Sequence, residues 1–191
     1  VGSLPKCIDK EQFDVRVMLP KYSCMKQEMK DKMQYVTHFY MDFAWRSVYV
    51  GIMESYVDGI HYYFIDNEYY FKREMLYGSF DDGERFAFFS KAILESLVYM
   101  EQKPDIIHCN DWQTALIPVY LNAFYKYDEL YRSIKTVFTI HNIQYQGKYG
   151  IDLNTEVVGL HPDDAHVLEY DSCVNFMKGA IETANKITTV S

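Results

Sequence analysis

The fold is decided by the stretch Asp105-Ile-Ile-His-Cys-Asn-Asp-Trp-Gln113, a short apolar run that ends in polar residues. A helical pattern follows over Trp112–Tyr125, and a second apolar run, Thr136–Ile140, comes after it. Strand, helix and strand in this order predict two parallel strands joined by a right-handed crossover. The pattern repeats with a helix at Val174–Asn185 and a strand at Ile187–Val190. We therefore expect an α/β fold with a parallel sheet flanked by helices.

The residues before this stretch add a helix and an antiparallel segment. Apolar residues recur at helical spacing between Asp82 and Pro104, which predicts one amphipathic helix. Turns at Phe43-Ala44 and Asp58-Gly59 separate three strand-like runs, and the second turn is of a type that favours hairpins. The sequence therefore predicts an antiparallel β insert with strands over Met33–Phe43, Trp45–Val57 and Gly59–Asn67. At the start of the chain we expect the end of a helix over Val1–Gln12 and a strand over Phe13–Pro20.

The composition describes a folded chain and argues against several classes of partner. Of 191 residues, 49% are hydrophobic and 24% are charged, which is close to the globular average and unlike disordered chains or coiled coils. The net charge of -8 disfavours nucleic acid and anionic lipid as partners, because both bind basic surfaces. No apolar run approaches the ~20 residues that a membrane helix needs. We expect no nucleic-acid partner and no membrane partner.

The cysteines predict reduced thiols. They are widely spaced and include no C-x-x-C pair, so we expect neither a disulfide framework nor a zinc site. Such cysteine usage is typical of a cytosol-like compartment, and the sequence predicts a cytoplasmic protein. The residues are Cys7, Cys24, Cys109 and Cys173.

Aromatic residues make up 17% of the chain, and a dense patch of them runs from Tyr35 to Phe71. Two interpretations are open. The patch can pack across the strands of the β insert, where aromatic side chains are favoured, or it can form a surface on which sugar rings stack. Base rates favour packing, because aromatic residues alone do not make a carbohydrate site.

Two loops carry the candidate chemistry, because ligands of open α/β sheets bind at the carboxyl ends of the parallel strands. The first loop, His108–Gln113, follows the first apolar strand, and the second, His141–Gly147, follows the next. Asp111 has two interpretations of equal weight, a functional carboxylate and the N-cap of the helix that starts at Trp112. A lone histidine such as His141 is most often a core residue, but here it is followed by a loop rich in polar groups that suit sugar hydroxyls.

A metal site at the first loop is disfavoured. His108, Cys109 and Asp111 are possible ligands by residue type. Neighbouring residues of a strand point to opposite faces, however, and the sequence contains no second ligand cluster. We expect no metal.

A series of sequence blocks, which are spread over nearly the whole chain, resembles blocks that occur in the same order in bacterial glycogen synthases and plant starch synthases. The resemblance implies the Rossmann-like N-terminal domain of a GT-B glycosyltransferase. Such enzymes transfer glucose from ADP-glucose to the non-reducing end of an α-1,4-glucan with retention of configuration. The blocks are Val1–Lys6, Asp14–Tyr22, Tyr62–Phe71, Asp82–Phe86, His108–Gln113, Thr139–Asn142 with Tyr145–Gly147, and Val174–Gly179.

The resemblance also implies roles for individual residues. His141 matches the family's histidine beside the donor glucose, and Asp111 matches a catalytic aspartate. Tyr77 matches a substrate-contacting tyrosine in a loop that varies. No cofactor and no catalytic metal are implied, because the substrate is ADP-glucose and the fold uses no metal. The remaining residues that the resemblance places on the substrate-binding wall of the cleft are Asn142, Tyr145, Gln146 and Gly147.

Two parts of the family pattern are missing from residues 1–191. A glycine-rich K-x-G-G-L loop and the first strand are expected before Val1, and a C-terminal GT-B domain after Ser191. The chain is therefore expected to be a single N-terminal domain, 1–191, of a longer enzyme and to be inactive alone. Its partners would be a nucleotide-sugar donor, an α-glucan acceptor and that C-terminal domain. Two alternatives remain open, a non-catalytic glucan-binding or scaffold module of the same fold and a GT-B transferase that uses UDP-sugars. In a plant the compartment would be the plastid.

Overall fold

The computed structural model describes residues 2–190, and the chain divides into two compact units. The first unit holds the residues up to Met41 together with Val48–Ser79. The second unit holds Asp42–Ser47 and the residues from Phe80 onward. No helix within the described range is both long enough and apolar enough to cross a membrane.

The first unit is built on a four-stranded mixed sheet. In chain order its elements are α1 (Leu4–Cys7), β1 (Arg16–Pro20), α2 (Gln27–Lys30), β2 (Gln34–Phe43), β3 (Arg46–Val57), β4 (Ile60–Asp66) and α3 (Glu68–Phe71). The strand order is β1-β4-β3-β2, with β1 parallel and β3 antiparallel to β4. Asp58 and Gly59, between β3 and β4, have φ angles of 51° and 72°, as a tight hairpin turn of type I′ requires. The predicted antiparallel segment is confirmed, and one parallel strand joins it.

Packing explains the buried part of the aromatic patch. Phe64 and Phe71 are fully buried, and Tyr62 and Phe64 belong to an apolar cluster that joins β4 to Val17 of β1. Tyr62 and Phe64 are held by cross-strand contact, as expected for a sheet, whereas Phe71 is buried in α3. Other rings of the patch are exposed, among them Tyr35, Tyr40, Trp45 and Tyr56.

The second unit contains the predicted parallel sheet. Its elements are α4 (Asp82–Tyr99), β5 (Ile106–Asn110), α5 (Leu116–Tyr120), β6 (Lys135–Ile140), β7 (Lys148–Tyr149), β8 (Glu169–Tyr170), β9 (Cys173–Asn175), α6 (Phe176–Thr183) and β10 (Lys186–Thr189). Strands β10, β6 and β5 form the parallel sheet in that order. Strands β7, β9 and β8 form a small antiparallel sheet. The alternation of strands and helices predicted from the sequence is confirmed.

One face of the parallel sheet packs on helices, and the other carries polar residues. Cys109, Phe138 and Ile140 are buried on the first face, and burial raises the pKa of the Cys109 thiol. His108 and Asn110 lie on the opposite face, because successive residues of a strand alternate between faces. The pleat therefore separates the His108 and Cys109 side chains, as the sequence predicted.

The helix between β5 and β6 changes its hydrogen-bonding pattern along its length. It starts with a 3₁₀ turn at Trp112–Thr114, continues as α5 and ends with a π-helical turn at Leu121–Tyr125. Pro118 lies in the first turn of α5, where a missing N–H costs little. The predicted helical span of 112–125 is confirmed.

Two helices are shorter than the sequence pattern predicts. The helix expected over Val1–Gln12 is the single turn α1, and residues 1 and 191 lie outside the described residues. The helix expected from Val174 begins at Phe176. The side chain of Asn175 is its N-cap, with Oδ1 accepting a hydrogen bond from an N–H of the first turn at 3.0 Å. The residues just before Phe176 form β9 instead.

Candidate active site

The loops after β5 and β6 meet at the carboxyl edge of the parallel sheet. Asp111 Oδ1 accepts hydrogen bonds from the backbone N–H of His141 at 2.8 Å and of Asn142 at 3.3 Å. Asn110 Oδ1 lies 2.9 Å from Nε2 of His141. The backbone N–H of Asp111 donates to the carbonyl of Thr139 at 2.9 Å, which extends the pairing of the two strands. Asn110, the last residue of β5, therefore holds the ring of His141, and Asp111, the next residue, holds its backbone.

The interpretation of Asp111 as a helix cap is wrong. It occupies the N-cap position of the turn that starts at Trp112, but its side chain makes no cap hydrogen bond. The carboxylate instead accepts the N–H groups of His141 and Asn142, which lie past the end of β6 and would otherwise have no strand partner. The carboxylate therefore joins the two loops, and its catalytic role stays a prediction.

The backbone of Asp111 is strained. Its φ of 57° and ψ of -179° fall in a region that glycine favours, and a non-glycine residue there costs about 1–3 kcal/mol. Strain of this size persists only where surrounding contacts enforce it, and it concentrates at functional sites. Here the hydrogen bonds to the second loop require the carboxylate at this point of the chain.

The far end of the second loop rests on aromatic rings. Gly147 has a φ of 68°, and a Cβ added there would lie 2.9 Å from Cε3 of Trp112 and 3.1 Å from Cβ of Phe176. The Trp112 side chain is only 7% exposed and packs edge-on against Phe86, with ring centroids 5.0 Å apart. Glycine is therefore required at 147 both by the backbone angle and by the space available.

Replacing Gly147 with alanine is expected to destabilise the protein by roughly 1–3 kcal/mol, because the new methyl group meets Trp112 and Phe176 and the positive φ is unfavourable for alanine. The free energy of unfolding from denaturant titration measures this loss. Gly150→Ala is the matched control, since a Cβ at Gly150 meets nothing within 4 Å, and its effect should stay within about 0.5 kcal/mol. Equal losses for the two variants would contradict the packing described at Gly147.

Gln146 anchors the second loop to the start of α6. Its Oε1 accepts a hydrogen bond from Nδ2 of Asn175 at 2.8 Å, and its Nε2 donates to the carbonyl of Ile143 at 3.0 Å. The Gln146 carbonyl also accepts from the backbone N–H of Met177 at 3.0 Å. The amide side chain thus holds the loop, and the substrate-binding role that the sequence assigned to it stays a prediction.

The other predicted substrate-binding residues are at the surface. Asn142 Oδ1 accepts from the backbone N–H of Gln144 at 3.0 Å, which fixes a tight turn after His141. The ring of Tyr145 is 55% exposed, so a face is open to a ligand. Tyr77 is half-exposed and lies in the first unit, whereas the residues of both loops lie in the second.

A chain of hydrogen bonds crosses the polar face of the sheet behind the loops. His108 Nε2 lies 2.6 Å from Oγ1 of Thr139, which in turn lies 2.6 Å from Oγ1 of Thr188. Partial burial and, secondly, the nearby His141 hold the pKa of His108 below its usual 6.5. Within residues 2–190 no group of three or more His, Cys, Asp or Glu side chains is arranged to hold a metal ion.

The lowered pKa of His108 predicts a pH-dependent stability. Between the folded pKa and the unfolded value near 6.5, the unfolded chain binds the extra proton, so the stability contributed by neutral His108 is fully present above 6.5 and is lost as pH falls. We expect His108→Gln to flatten the fall in unfolding free energy between about pH 7.5 and 5.5. Denaturant titrations at both pH values measure this slope. An identical slope in wild type and variant would contradict the contribution of His108.

Two residues of this site had no role assigned from the sequence alone. Asn110 was part of the first loop motif, and the only hint of its function was a polar side chain at the last position of an apolar strand. Asn175 resembles an ordinary helix cap, which it is, but its second amide contact to Gln146 joins elements far apart in the sequence. No local pattern indicates that contact.

Comparison with known proteins identifies the family to which the chain belongs. Residues 1–191 match the family model described as the starch synthase catalytic domain. The chain is 50% identical over 194 residues to a glycogen synthase of Lachnospira eligens, covering 100% of the chain and 40% of the relative. It is 47% identical over 191 residues to a glycogen synthase of Desulfitobacterium hafniense, covering 98% of the chain and 41% of the relative.

A solved structure also relates the chain to starch synthases. The catalytic domain of starch synthase IV from Arabidopsis thaliana, bound to ADP and acarbose, superposes with a TM-score of 0.83 at 32% sequence identity. The match covers 100% of the chain and 39% of that structure, and the chain spans about 40% of the length of the curated relatives it matches. The predicted fold class, a Rossmann-like part of a GT-B glycosyltransferase, is confirmed. The chain belongs to the starch synthase catalytic domain family.

Proposed function

We propose that the chain is the N-terminal part of a longer glycosyltransferase, which we call the full-length parent. The full-length parent transfers glucose from ADP-glucose to the non-reducing end of an α-1,4-glucan with retention of configuration. Family membership supports the proposal, and so do relatives of which the chain covers 40% and 41%. In this proposal the chain supplies one wall of the active-site cleft, and a C-terminal GT-B domain supplies the other.

The observation that carries the proposal is the contact between the two strand-end loops. Asp111 of the first loop binds the backbone N–H groups of His141 and Asn142 in the second, and Asn110 binds the ring of His141. The site thus presents a positioned imidazole and polar groups at the edge where ligands of α/β sheets bind. The starch synthase IV structure with ADP and acarbose supports a nucleotide-sugar donor and a glucan-like acceptor for this family.

The chemistry of the transfer suits fixed polar groups. Positive charge develops on the donor glucose as its bond to the nucleotide breaks, and negative charge develops on the leaving phosphate. Groups held rigidly before the reaction stabilise these charges without reorganising. We propose that His141 contacts the donor glucose and that Asp111 keeps His141 and Asn142 in place. Asn142, Tyr145 and Gly147 would line the sugar site, and Gln146 would complete it. The substrate contact of Tyr77, which lies in the first unit, stays a prediction.

We also propose that the transfer needs no metal ion and that the protein acts in the cytoplasm. The resemblance to glycogen and starch synthases supports the first statement, and the cysteine usage supports the second. Treatment of the full-length parent with EDTA should leave the transfer rate unchanged. A loss of activity that Mg²⁺ or Mn²⁺ restores would contradict the metal-free proposal.

The test of the function is a transfer assay with labelled donors. The full-length parent is incubated with glycogen and either ADP-[¹⁴C]glucose or UDP-[¹⁴C]glucose, and the labelled product is digested with β-amylase to verify α-1,4 linkage at the non-reducing end. We expect incorporation mainly from ADP-glucose. Preference for UDP-glucose would overturn the proposed donor. Glycogen binding without incorporation from either donor would favour a non-catalytic glucan-binding module.

A further inference from the structure

We propose that Asn110 is a positioning residue that selects the tautomer of His141, so that the neutral ring keeps its proton on Nε2 and offers Nδ1 as an acceptor to a sugar hydroxyl. The choice of a sugar as ligand rests on the proposed function, whereas the tautomer does not. Asn110 Oδ1 and His141 Nε2 are 2.9 Å apart, a normal length for a hydrogen bond between an N–H and an amide oxygen.

The orientation of the Asn110 amide follows from its second contact. Its Nδ2 donates to the backbone carbonyl of His108 at 3.4 Å. A carbonyl can only accept, so the orientation with the NH₂ group toward His108 and the oxygen toward His141 is the one in which both contacts are hydrogen bonds. An amide oxygen also only accepts, and Nε2 of His141 must therefore carry the hydrogen. In the neutral ring, Nδ1 is then unprotonated.

Asn110 is held on a strand rather than on the loop. It is the last residue of β5 and is paired in register with Thr139 of β6. Its backbone N–H donates to Oγ1 of Thr114 at 2.7 Å, which fixes the start of the following turn. A side chain on such a rigid element can orient the ring of His141 more closely than a loop residue could.

Asn110 and Asp111 have complementary effects on one residue. Asp111 binds the backbone N–H of His141, and Asn110 binds its ring. Within the described residues, no group forms a hydrogen bond with Nδ1 of His141, and the residue is exposed. The ring is therefore fixed on one side and open on the other, and a neutral Nδ1 can bind a ligand only by accepting from an O–H or N–H donor.

The direct test is ¹⁵N NMR of the imidazole nitrogens in the full-length parent, labelled with ¹⁵N-histidine and measured at high pH where the rings are neutral. Loss of one set of signals in His141→Gln assigns His141. We expect a protonated Nε2 and an unprotonated Nδ1. A proton on Nδ1 in the wild-type protein would overturn the proposal, whatever the enzyme's activity.

Variants of Asn110 link the tautomer to the reaction. Asn110→Leu removes the acceptor at similar volume, and Asn110→Ser shortens the side chain in case the leucine prevents folding. Either should yield mixed tautomers and lower kcat by roughly 10-fold or more, with a smaller change in KM, because a misplaced polar group acts mainly on the transition state. Asn110→Asp keeps an acceptor oxygen and should keep the proton on Nε2.

The control is Asn122→Leu, the same change at an exposed helical position, which should leave both the NMR signals and kcat unchanged. A folded Asn110→Leu or Asn110→Ser variant with an unaltered tautomer would overturn the proposal. So would a variant with mixed tautomers and a normal kcat. If the wild-type parent transfers no glucose, the proposed function fails, and the NMR result alone still decides whether Asn110 sets the tautomer.

Discussion

Replacing Asp111 with alanine in the full-length parent is expected to lower kcat by about 10²-fold or more, with a much smaller change in KM for the donor. The carboxylate accepts the backbone N–H groups of both His141 and Asn142, so its removal releases the start of the second loop. Polar groups that act on the transition state contribute mainly to kcat, because substrate binding alone needs less exact placement. Steady-state kinetics with ADP-glucose and glycogen measures both constants.

Stability has to be separated from catalysis for this variant. Loss of the two hydrogen bonds should cost about 1 kcal/mol, because water can reach the exposed N–H groups. Asp128→Ala is a matched control, since Asp128 Oδ1 also accepts a backbone N–H, from Leu130 at 2.8 Å, outside the two loops. The Asp128→Ala variant should have a slightly lower Tm and an unchanged kcat. Comparable kcat values for the Asp111 and Asp128 variants would contradict a role of Asp111 in the reaction.

Asparagine at 111 distinguishes positioning from charge. Asp111→Asn keeps an oxygen that can accept both N–H groups but removes the negative charge. If Asp111 acts by holding the loop, the asparagine variant should recover most of the kcat that alanine loses. If it stayed as slow as Asp111→Ala while the loop kept its structure, the charge itself would be required, and positioning would not be its main role.

His141→Ala is the second change from which we expect a large effect, again about 10²-fold or more in kcat with a modest change in KM for the donor. The ring of His141 is exposed and is oriented by Asn110, as a residue that meets the substrate requires. Little stability should be lost, because the side chain contributes nothing to the buried core. Kinetics and thermal melts on the same preparation separate the two effects.

The control for His141 is His161→Ala, which removes another exposed histidine of the second unit that lies outside both loops. Its kcat should stay near the wild-type value. Normal turnover by folded His141→Ala, or a loss explained entirely by lower stability, would leave His141 as a structural residue and refute its assignment to the site.

The long, strongly periodic elements were predictable from the sequence. The helix from Asp82 and the strands at Ile106–Asn110 and Lys135–Ile140 all lie where their apolar patterns predicted them, although in β5 only Cys109 is buried. In each of these elements the spacing of the apolar residues fits one type of secondary structure, so the pattern indicated the element directly. The pattern failed at Val174, where the side chain of Asn175 caps the helix and leaves the preceding residues to pair as a strand.

The candidate site was predictable only to the level of its loops. Polar residues after buried strands indicated where His141 and Asp111 would lie, because parallel strands end at the same edge of a sheet. The sequence did not indicate which groups form hydrogen bonds with those side chains. The hydrogen bonds from Asn110 and Asp111 join residues about thirty positions apart, and only the register of β5 against β6 brings them together. From the sequence, Asp111 could therefore be interpreted equally well as a helix cap and as a functional carboxylate.

The central claim, that these two loops form the sugar-binding wall of a glucosyltransferase, is tested most directly by a crystal structure of the full-length parent with ADP and a glucan analogue such as acarbose. We predict a sugar ring whose hydroxyl lies at hydrogen-bond distance, about 2.6–3.2 Å, from Nδ1 of His141, with Asp111 still bound to the backbone of His141 and Asn142. A sugar bound elsewhere, with both loops in contact only with solvent, would contradict the claim.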